Sequence, residues 1–230
     1  MRQFSFPVEM KGVVPEPLQI DLKTFNGTLQ VVGNARSLGS ARLNLVAQAA
    51  SRAEAQAAMA ACYRLSWQLP RITLRFERLA GLQSLSAELE VPASVQQIDL
   101  ASQNGRVVVS GVAAASLQVT AENGSIEIRD ASVGDLLLLS RNGRVSYTGS
   151  AVHGRVLAER GDISLELQAA EEPSRFSAWA KLGSVTLETD LVAPDLQIVQ
   201  SLADLERPDD TVATPRLQVA LRGRRVRIKA

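Results

Sequence analysis

The side chains that most often perform acid–base, nucleophilic or metal chemistry are scarce in this sequence. Its 230 residues include one histidine, His153, and one cysteine, Cys62. A nucleophile needs a base beside it, and a metal site needs several ligands at suitable spacing. Because these two residues lie far apart along the chain, we predict no catalytic residues, no metal site and no cofactor. We interpret Cys62 as a small buried hydrophobe, and His153 as a solvated histidine at a corner between strands.

Carboxylates are not arranged for polysaccharide cleavage either. Such chemistry needs paired acidic residues on one surface. The position after each of five regularly spaced glycines carries Arg106, Ser125, Arg144, Asp162 and Ser184. This row contains one acid, so no acidic ladder forms. The sequence therefore favours a protein without enzymatic activity, and a polysaccharide-active enzyme is the weakest alternative.

A basic segment closes the sequence and is the first candidate binding surface. Its cations are Arg222, Arg224, Arg225, Arg227 and Lys229. The last three alternate with Val226 and Ile228, which is typical of an edge strand whose charges prevent aggregation. The same cations could contact a phosphate or a membrane surface. Few aromatic residues flank them, so we expect no nucleic-acid partner.

The elements that position these side chains form a repeat. Five glycines, at 105, 124, 143, 161 and 183, are separated by 19, 19, 18 and 22 residues. Apolar residues follow each glycine at the second and fourth positions, and similar alternation precedes four of them at the seventh and fifth positions. Period-two alternation on both sides of a turn indicates two short strands per unit. Asn-Gly pairs at several corners predict a positive φ there.

This pattern predicts an all-β fold, a β-solenoid-like stack of two-strand rungs with a period of about 19 residues. A single hairpin cannot bury its apolar face, whereas stacked units build a continuous core. Residues 20–33 fit the same template as residues 98–111. The terminal segment "LQVALRGRRVRI" from Leu217 parallels "LQVTAENGSIEI" from Leu117, with Val226 and Ile228 at inner positions.

The stack is interrupted by one helix and one polar loop. Ser51 and Glu54 form a capping box before an alanine-rich run, so an inserted α-helix is predicted over about 51–65. A polar loop with two prolines is predicted over about 201–215. The chain length allows a single domain over residues 1–230.

An apolar row on the outer side of the rungs is the second candidate surface. The position four before each corner glycine includes Leu139, Leu157 and Trp179, and Leu137 lies six before its glycine. If these side chains are exposed to solvent, they would form a binding site for a protein partner. The sequence leaves open whether the inserted helix or the 201–215 loop covers them.

The overall charge and the N-terminal residues indicate where in the cell the protein is expected. Lys and Arg total 25 against 24 for Asp and Glu, so any contact with nucleic acid or an anionic membrane would be local. Pro7, Glu9 and Lys11 interrupt the apolar stretch that a secretory signal would need. No apolar run approaches the length of a membrane span. We therefore expect a soluble cytoplasmic protein, with peripheral membrane contact as an open possibility.

The Asn-Gly rung near the N-terminus, the helix-bearing insertion and the passage "LEVPASVQQIDLASQNGRVVVSG" resemble a bacterial β-strand-repeat domain of unknown function. This domain is also called the toastrack domain, and its members are often described as adhesins. The resemblance implies a β-solenoid-like stack without established catalytic residues. It also implies a link to membrane-anchored envelope-stress components, because relatives are often joined to them or encoded beside them.

Together these observations favour a protein-interaction scaffold that binds a protein partner or a second copy of itself. An exported surface adhesin is the main alternative.

Overall fold

The computed structural model describes residues 2–11, 18–34, 40–68, 70–76, 85–191, 196–199 and 217–229. The predicted polar loop at 201–215 lies outside these residues. The helix is α1 (Arg52–Cys62). The strands are β1 (Arg2–Lys11), β2 (Gln19–Asn26), β3 (Leu29–Asn34), β4 (Ser40–Ala49), β5 (Tyr63–Gln68), β6 (Arg71–Phe76), β7 (Leu85–Pro92), β8 (Ser94–Asn104), β9 (Val107–Ser110), β10 (Ala113–Asn123), β11 (Ile126–Asn142), β12 (Val145–Arg160), β13 (Ile163–Leu167), β14 (Ser174–Ala180), β15 (Ser184–Thr189), β16 (Leu196–Val199), β17 (Leu217–Arg222) and β18 (Arg225–Lys229).

The strands form two faces of a stack, and the predicted all-β fold of stacked rungs is confirmed. The first face runs β6, β2, β8, β10, the later parts of β11 and β12, β14, β17 and β16. The second face runs β7, β3, β9, the earlier parts of β11 and β12, β13, β15 and β18. Every pairing along both faces is parallel. β11 and β12 continue from one face to the other, which joins the faces at a second corner.

The register confirms the repeat of about 19 residues. Leu117 pairs with Leu136 on the first face, and Ile126 pairs with Val145 on the second. Inward-facing side chains from both faces are buried, while the residues between them point outward. Strands buried on one side and solvated on the other account for the alternation in the sequence.

The insertion lies at one end of the stack rather than inside it. Asn26 of the first rung pairs directly with Asn104, so residues 20–33 and 98–111 are neighbours. The intervening chain builds β6 and β7 on the far side of β2 and β3. Antiparallel strands β5, β4 and β1 complete that end. After β3 the chain therefore builds the end of the stack with β4 to β7, and β8 then pairs with β2.

The helix begins as predicted but ends earlier than residue 65. The Ser51 Oγ accepts a hydrogen bond from the Glu54 N–H at 3.2 Å, which confirms the cap. Ala55 is buried. The helix ends at Cys62 because Tyr63 already pairs with Phe76 in the antiparallel β5–β6 ladder. Strand pairing therefore overrides the helical tendency of the alanine-rich run.

The corner glycines are required chiefly by close packing, and the predicted positive φ is wrong at most of them. Positive φ occurs at Gly27 and Gly161, whereas Gly124 lies outside that region. A Cβ on Gly124 would stand 1.7 Å from the Gly105 carbonyl oxygen of the rung beneath. The same clash, at 1.8–2.1 Å, would arise at Gly105, Gly143, Gly161 and Gly183.

Asparagines beside these glycines form a hydrogen-bonded ladder. The Asn104 amide donates to the Asn26 Oδ1 at 3.0 Å. Asn123 donates to Asn104 and Asn142 donates to Asn123, both at 2.8 Å. Each side chain therefore bonds the equivalent residue of the neighbouring rung. The Asn-Gly pair recurs because each of its residues faces a copy of itself.

The rung that departs from the apolar pattern is filled by an aromatic ring. Gly154 occupies an inward position, and a Cβ there would lie 2.2 Å from the Phe176 ring. Phe176 packs beside Tyr147, with ring centroids 5.9 Å apart. Burial raises the pKa of Tyr147, whose hydroxyl donates to the Ser150 carbonyl at 2.6 Å. The missing side chain at Gly154 thus makes room for Phe176.

The last rung differs from its predicted register. Equivalent residues of successive rungs pair in the order Leu117, Leu136, Gly154, Phe176 and Val219. Val219, and not Leu217, is therefore equivalent to Leu117. The corner after β17 is correspondingly shorter. Val226 and Ile228 keep the predicted inner register, because they pair with Val185 and Leu187, but they are 41% and 42% exposed. β18 pairs with β15 and with no further strand among the described residues, so one side of these residues stays open.

Replacing Gly124 with alanine tests the packing of the corners. We expect the Gly124→Ala variant to lose about 2–4 kcal/mol of unfolding free energy, since its methyl group would meet a backbone carbonyl. The Gly223→Ala variant is the control, because its nearest neighbours stand at 3.1–3.4 Å. It should lose less than about 1 kcal/mol. Urea unfolding measures both, and equal losses would contradict this account.

A second pair of variants tests the inward and outward registers. Leu138 is fully buried between Val119 and Val156, whereas Leu137 points outward. We expect Leu138→Asp to cost about 3 kcal/mol or more, because it buries an unpaired charge. Leu137→Asp should cost about 1 kcal/mol or less. Thermal unfolding compares the two, and a similar loss in both would overturn the register.

Candidate interaction surface

The predicted apolar row forms a surface on the outer side of the first face. We call Leu137, Leu139, Leu157 and Trp179 the apolar patch. Leu139 pairs with Leu157, and Leu157 pairs with Trp179, so these side chains stand on three successive strands. Successive strands lie about 4.8 Å apart, which places the side chains in contact range. Leu137 stands two residues before Leu139 on the same side of its strand.

The apolar patch is accessible. Trp179 is 42% exposed, and the three leucines are half-buried. A groove of about 400 Å³ crosses the patch, with Leu139, Leu157 and Trp179 along it and Arg141, Glu159 and Lys181 at its rim. Most outward rows of the stack are polar, so this row is unusual for a face turned to solvent.

The inserted helix lies at the other end of the stack. α1 contacts β4, and Arg52 stands over the ring of Phe6 in β1 at 5.8 Å. β4 belongs to the antiparallel end beyond β7, whereas the apolar patch lies on β11, β12 and β14. The helix therefore buries Ala55 at a place remote from the exposed Trp179 ring.

The basic segment meets the apolar patch at one residue. Arg222 pairs with Trp179 across β17 and β14, and its guanidinium lies over the indole at 5.1 Å. This cation–π contact orients the ring while leaving it exposed. Sequence reasoning treated the two surfaces separately, because the two-residue error in the last register concealed their contact.

The remaining basic residues line the exposed end of the stack. Arg224 lies in the last turn, and Arg225, Arg227 and Lys229 belong to β18. Lys229 pairs with Glu188 at 3.4 Å. β18 is an edge strand within the described part of the chain, as expected for a segment whose charges discourage further pairing.

His153 occupies a strand rather than the predicted corner. It lies in the middle of β12, because β12 continues through the second corner to Arg160. Its Nδ1 stands 3.3 Å from the Asp135 Oδ1 of β11. Arg155 and Arg175 share a groove with this pair. These residues come together only through the register of three strands, and the sequence analysis did not predict their grouping.

Asp162, the acid in the row that follows the corner glycines, has a structural role. The Ser184 hydroxyl and N–H donate to the Asp162 carboxylate at 2.6 and 2.9 Å, and these bonds hold its pKa below the ordinary value. Among the described residues, no group of three or more His, Cys, Asp or Glu side chains could hold a metal ion. No helix in the same part of the chain is long and apolar enough to cross a membrane.

The family model described as Toastrack DUF4097 matches residues 69–199, which is more than half of the chain. The chain belongs to this family. The first rung, β2–β3, precedes the matched segment yet stacks directly on it through Asn26 and Asn104. No curated protein matches the sequence significantly.

The chain is similar to crystal structures from several bacteria. A "putative adhesin" from Bacteroides fragilis NCTC 9343 is 11% identical with a TM-score of 0.51, covering 100% of this chain and 97% of that protein. A "putative cell adhesion protein" from Clostridium sporogenes ATCC 15579 is 9% identical with a TM-score of 0.46, covering 99% and 100%. A "putative lipid binding protein" from Parabacteroides distasonis ATCC 8503 is 9% identical with a TM-score of 0.47, covering 98% and 97%. The first of these supports the fold alone.

Neutralising the end strand of this toastrack chain tests its protective role. We expect the Arg225→Gln and Arg227→Gln double variant to associate through β18 at concentrations where the wild type does not, because the edge loses its repulsive charges. Its retention on duplex DNA and anionic vesicles should equal that of the wild type. The Arg144→Gln and Arg160→Gln double variant is the control, because it removes the same charge away from β18. Sedimentation velocity and co-flotation measure both, and a salt-sensitive loss of DNA or vesicle binding would contradict the edge-strand role.

Proposed function

We propose that the protein is a non-enzymatic scaffold that binds a protein partner through the apolar patch. The observation that carries this proposal is the exposed Trp179 ring at the end of a row of leucines. The fold does not need this row, because the core is complete on the inner side of the same strands. Tryptophan beside aliphatic residues is typical of the centre of an interface.

The scaffold holds this surface in a fixed arrangement. Parallel pairing sets the spacing of Leu139, Leu157 and Trp179, and Arg222 restrains the indole from the last rung. A preorganised surface loses little conformational entropy when a partner binds. As the partner we propose a component of a membrane-associated envelope-stress system, and we propose that binding occurs in the cytoplasm.

An exported adhesin is the second candidate, and its support is the name of the Bacteroides fragilis protein with the same fold. Cell fractionation with external protease separates the two. Protection of the protein in intact cells and recovery from the cytoplasm would support the scaffold. Cleavage by protease added outside intact cells would support the adhesin.

The double variant Trp179→Ala with Leu139→Ser tests the partner surface. We expect partner binding to weaken by about 2 kcal/mol, roughly 30-fold, because the anchor of the interface is removed. The melting temperature should change by only a few degrees, since both side chains are outside the core. Val108→Ala is the matched control, an outward apolar residue on the second face.

The measurement is affinity capture from a native lysate, with each captured protein titrated afterwards against the three purified forms. Sedimentation of the wild type at several concentrations reports self-association in parallel. A large loss of thermal stability in the double variant, with binding unchanged, would contradict the proposal. So would equal capture by the double variant and the wild type.

A further inference from the structure

A second groove lies beside the apolar patch on the same outer face. It encloses about 510 Å³ and is lined by Asp135, Leu137, His153, Arg155, Arg175 and Ser177 among others. Leu137 belongs to both this groove and the apolar patch. The two features are therefore parts of one surface, apolar toward the corner glycines and charged toward the second corners.

The register brings the charged groups of this groove together. Asp135, His153 and Arg175 are paired residues on three successive strands. Arg155 stands two residues after His153 on the same side of β12. Neighbouring strands lie about 4.8 Å apart and alternate residues about 6.6 Å apart, so both guanidinium groups can reach one bound anion.

The charge in the groove is unbalanced. Asp135 is engaged by His153 at 3.3 Å. Within the described residues, neither the Arg155 guanidinium nor the Arg175 guanidinium has a hydrogen bond or an ion pair. Three other outward arginines of the stack are paired: Arg106 and Arg129 share Glu127, and Arg141 lies 3.7 Å from Glu159. Two arginines against one aspartate leave a net positive charge in the groove.

We propose that this groove recognises a carboxylate side chain of the protein partner, an acidic segment whose apolar residues lie on the apolar patch. This inference rests on the proposed function, because the same partner occupies both features. Guanidinium groups bind carboxylates through paired hydrogen bonds with defined geometry. The two unpaired arginines therefore select an acidic partner over a neutral or basic one.

The spacing on the scaffold predicts the pattern in the partner. Arg155 and Leu157 are alternate residues of β12, and Arg175 stands four residues before Trp179 on the same side of β14. An extended segment lying along these strands presents its own alternate side chains at nearly the same interval, about 6.6 Å. An acidic residue two or four positions from an aliphatic or aromatic residue therefore matches this surface.

A random 12-residue peptide library displayed on phage tests the proposal without a known partner. We expect selection on the wild-type protein to enrich peptides with Asp or Glu two or four residues from an apolar residue. Synthetic forms of these peptides should bind at least about tenfold more weakly to the Arg155→Gln and Arg175→Gln double variant. Arg106→Gln with Arg129→Gln, on the second face, is the matched control and should bind as the wild type does.

The outcomes separate this inference from the proposed function. Enrichment of apolar peptides without acidic residues, lost in the Trp179→Ala and Leu139→Ser variant, would overturn the carboxylate site and leave the scaffold proposal standing. If selection on the wild type enriches no peptides relative to selection on the Trp179→Ala and Leu139→Ser variant, both the carboxylate site and the scaffold proposal are overturned. If the wild type self-associates and the Arg155 and Arg175 changes abolish this, the groove binds a second copy of the chain. If the wild type floats with anionic vesicles and the same changes abolish flotation, the groove binds a membrane. Either result would overturn the acidic partner.

Discussion

The distance between neighbouring rungs is the constraint on which the rest of this structure depends. Parallel main-chain hydrogen bonds set it at about 4.8 Å along both faces. At the corners the backbones of successive rungs approach so closely that a Cβ on Gly124 would overlap the Gly105 carbonyl. The same distance suits an amide–amide hydrogen bond, so Asn123 can bond Asn104. Inside, the side chains of successive rungs must then fill the core together, as Gly154 and Phe176 of neighbouring rungs do.

A stack of this kind has two open ends, and at both ends strands pair out of their order in the sequence. At one end β4 to β7 extend the stack beyond the first rung before β8 returns to pair with β2. At the other end β16 pairs on the outer side of β17, although it precedes β17 in sequence. Antiparallel strands and a helix occupy the first end, and charged residues occupy β18 at the second. Different devices therefore limit uncontrolled strand addition at the two ends.

Most of the rungs could be predicted from the sequence, because alternation and glycine spacing report local geometry directly. Inner residues such as Leu117 and Ile126 are placed correctly. The prediction failed where contacts between rungs decide the outcome. Positive φ was inferred at Gly124 from the Asn-Gly pair alone, whereas the clash with the neighbouring rung is visible only after stacking. The end of the helix depended on the pairing of Tyr63 with Phe76, and the contact of Trp179 with Arg222 depended on a shortened final corner.

The candidate site illustrates how this architecture separates stability from recognition. In each rung the inner residues determine packing, and the outer residues of the same strands contribute little to it. A substitution at Leu157 or Arg155 therefore changes one position of the outer surface without disturbing Val156 between them. Apolar and charged rows can be assembled side by side by independent changes in successive rungs. This independence explains how one face can carry a leucine–tryptophan row next to unpaired arginines while the core beneath remains continuous.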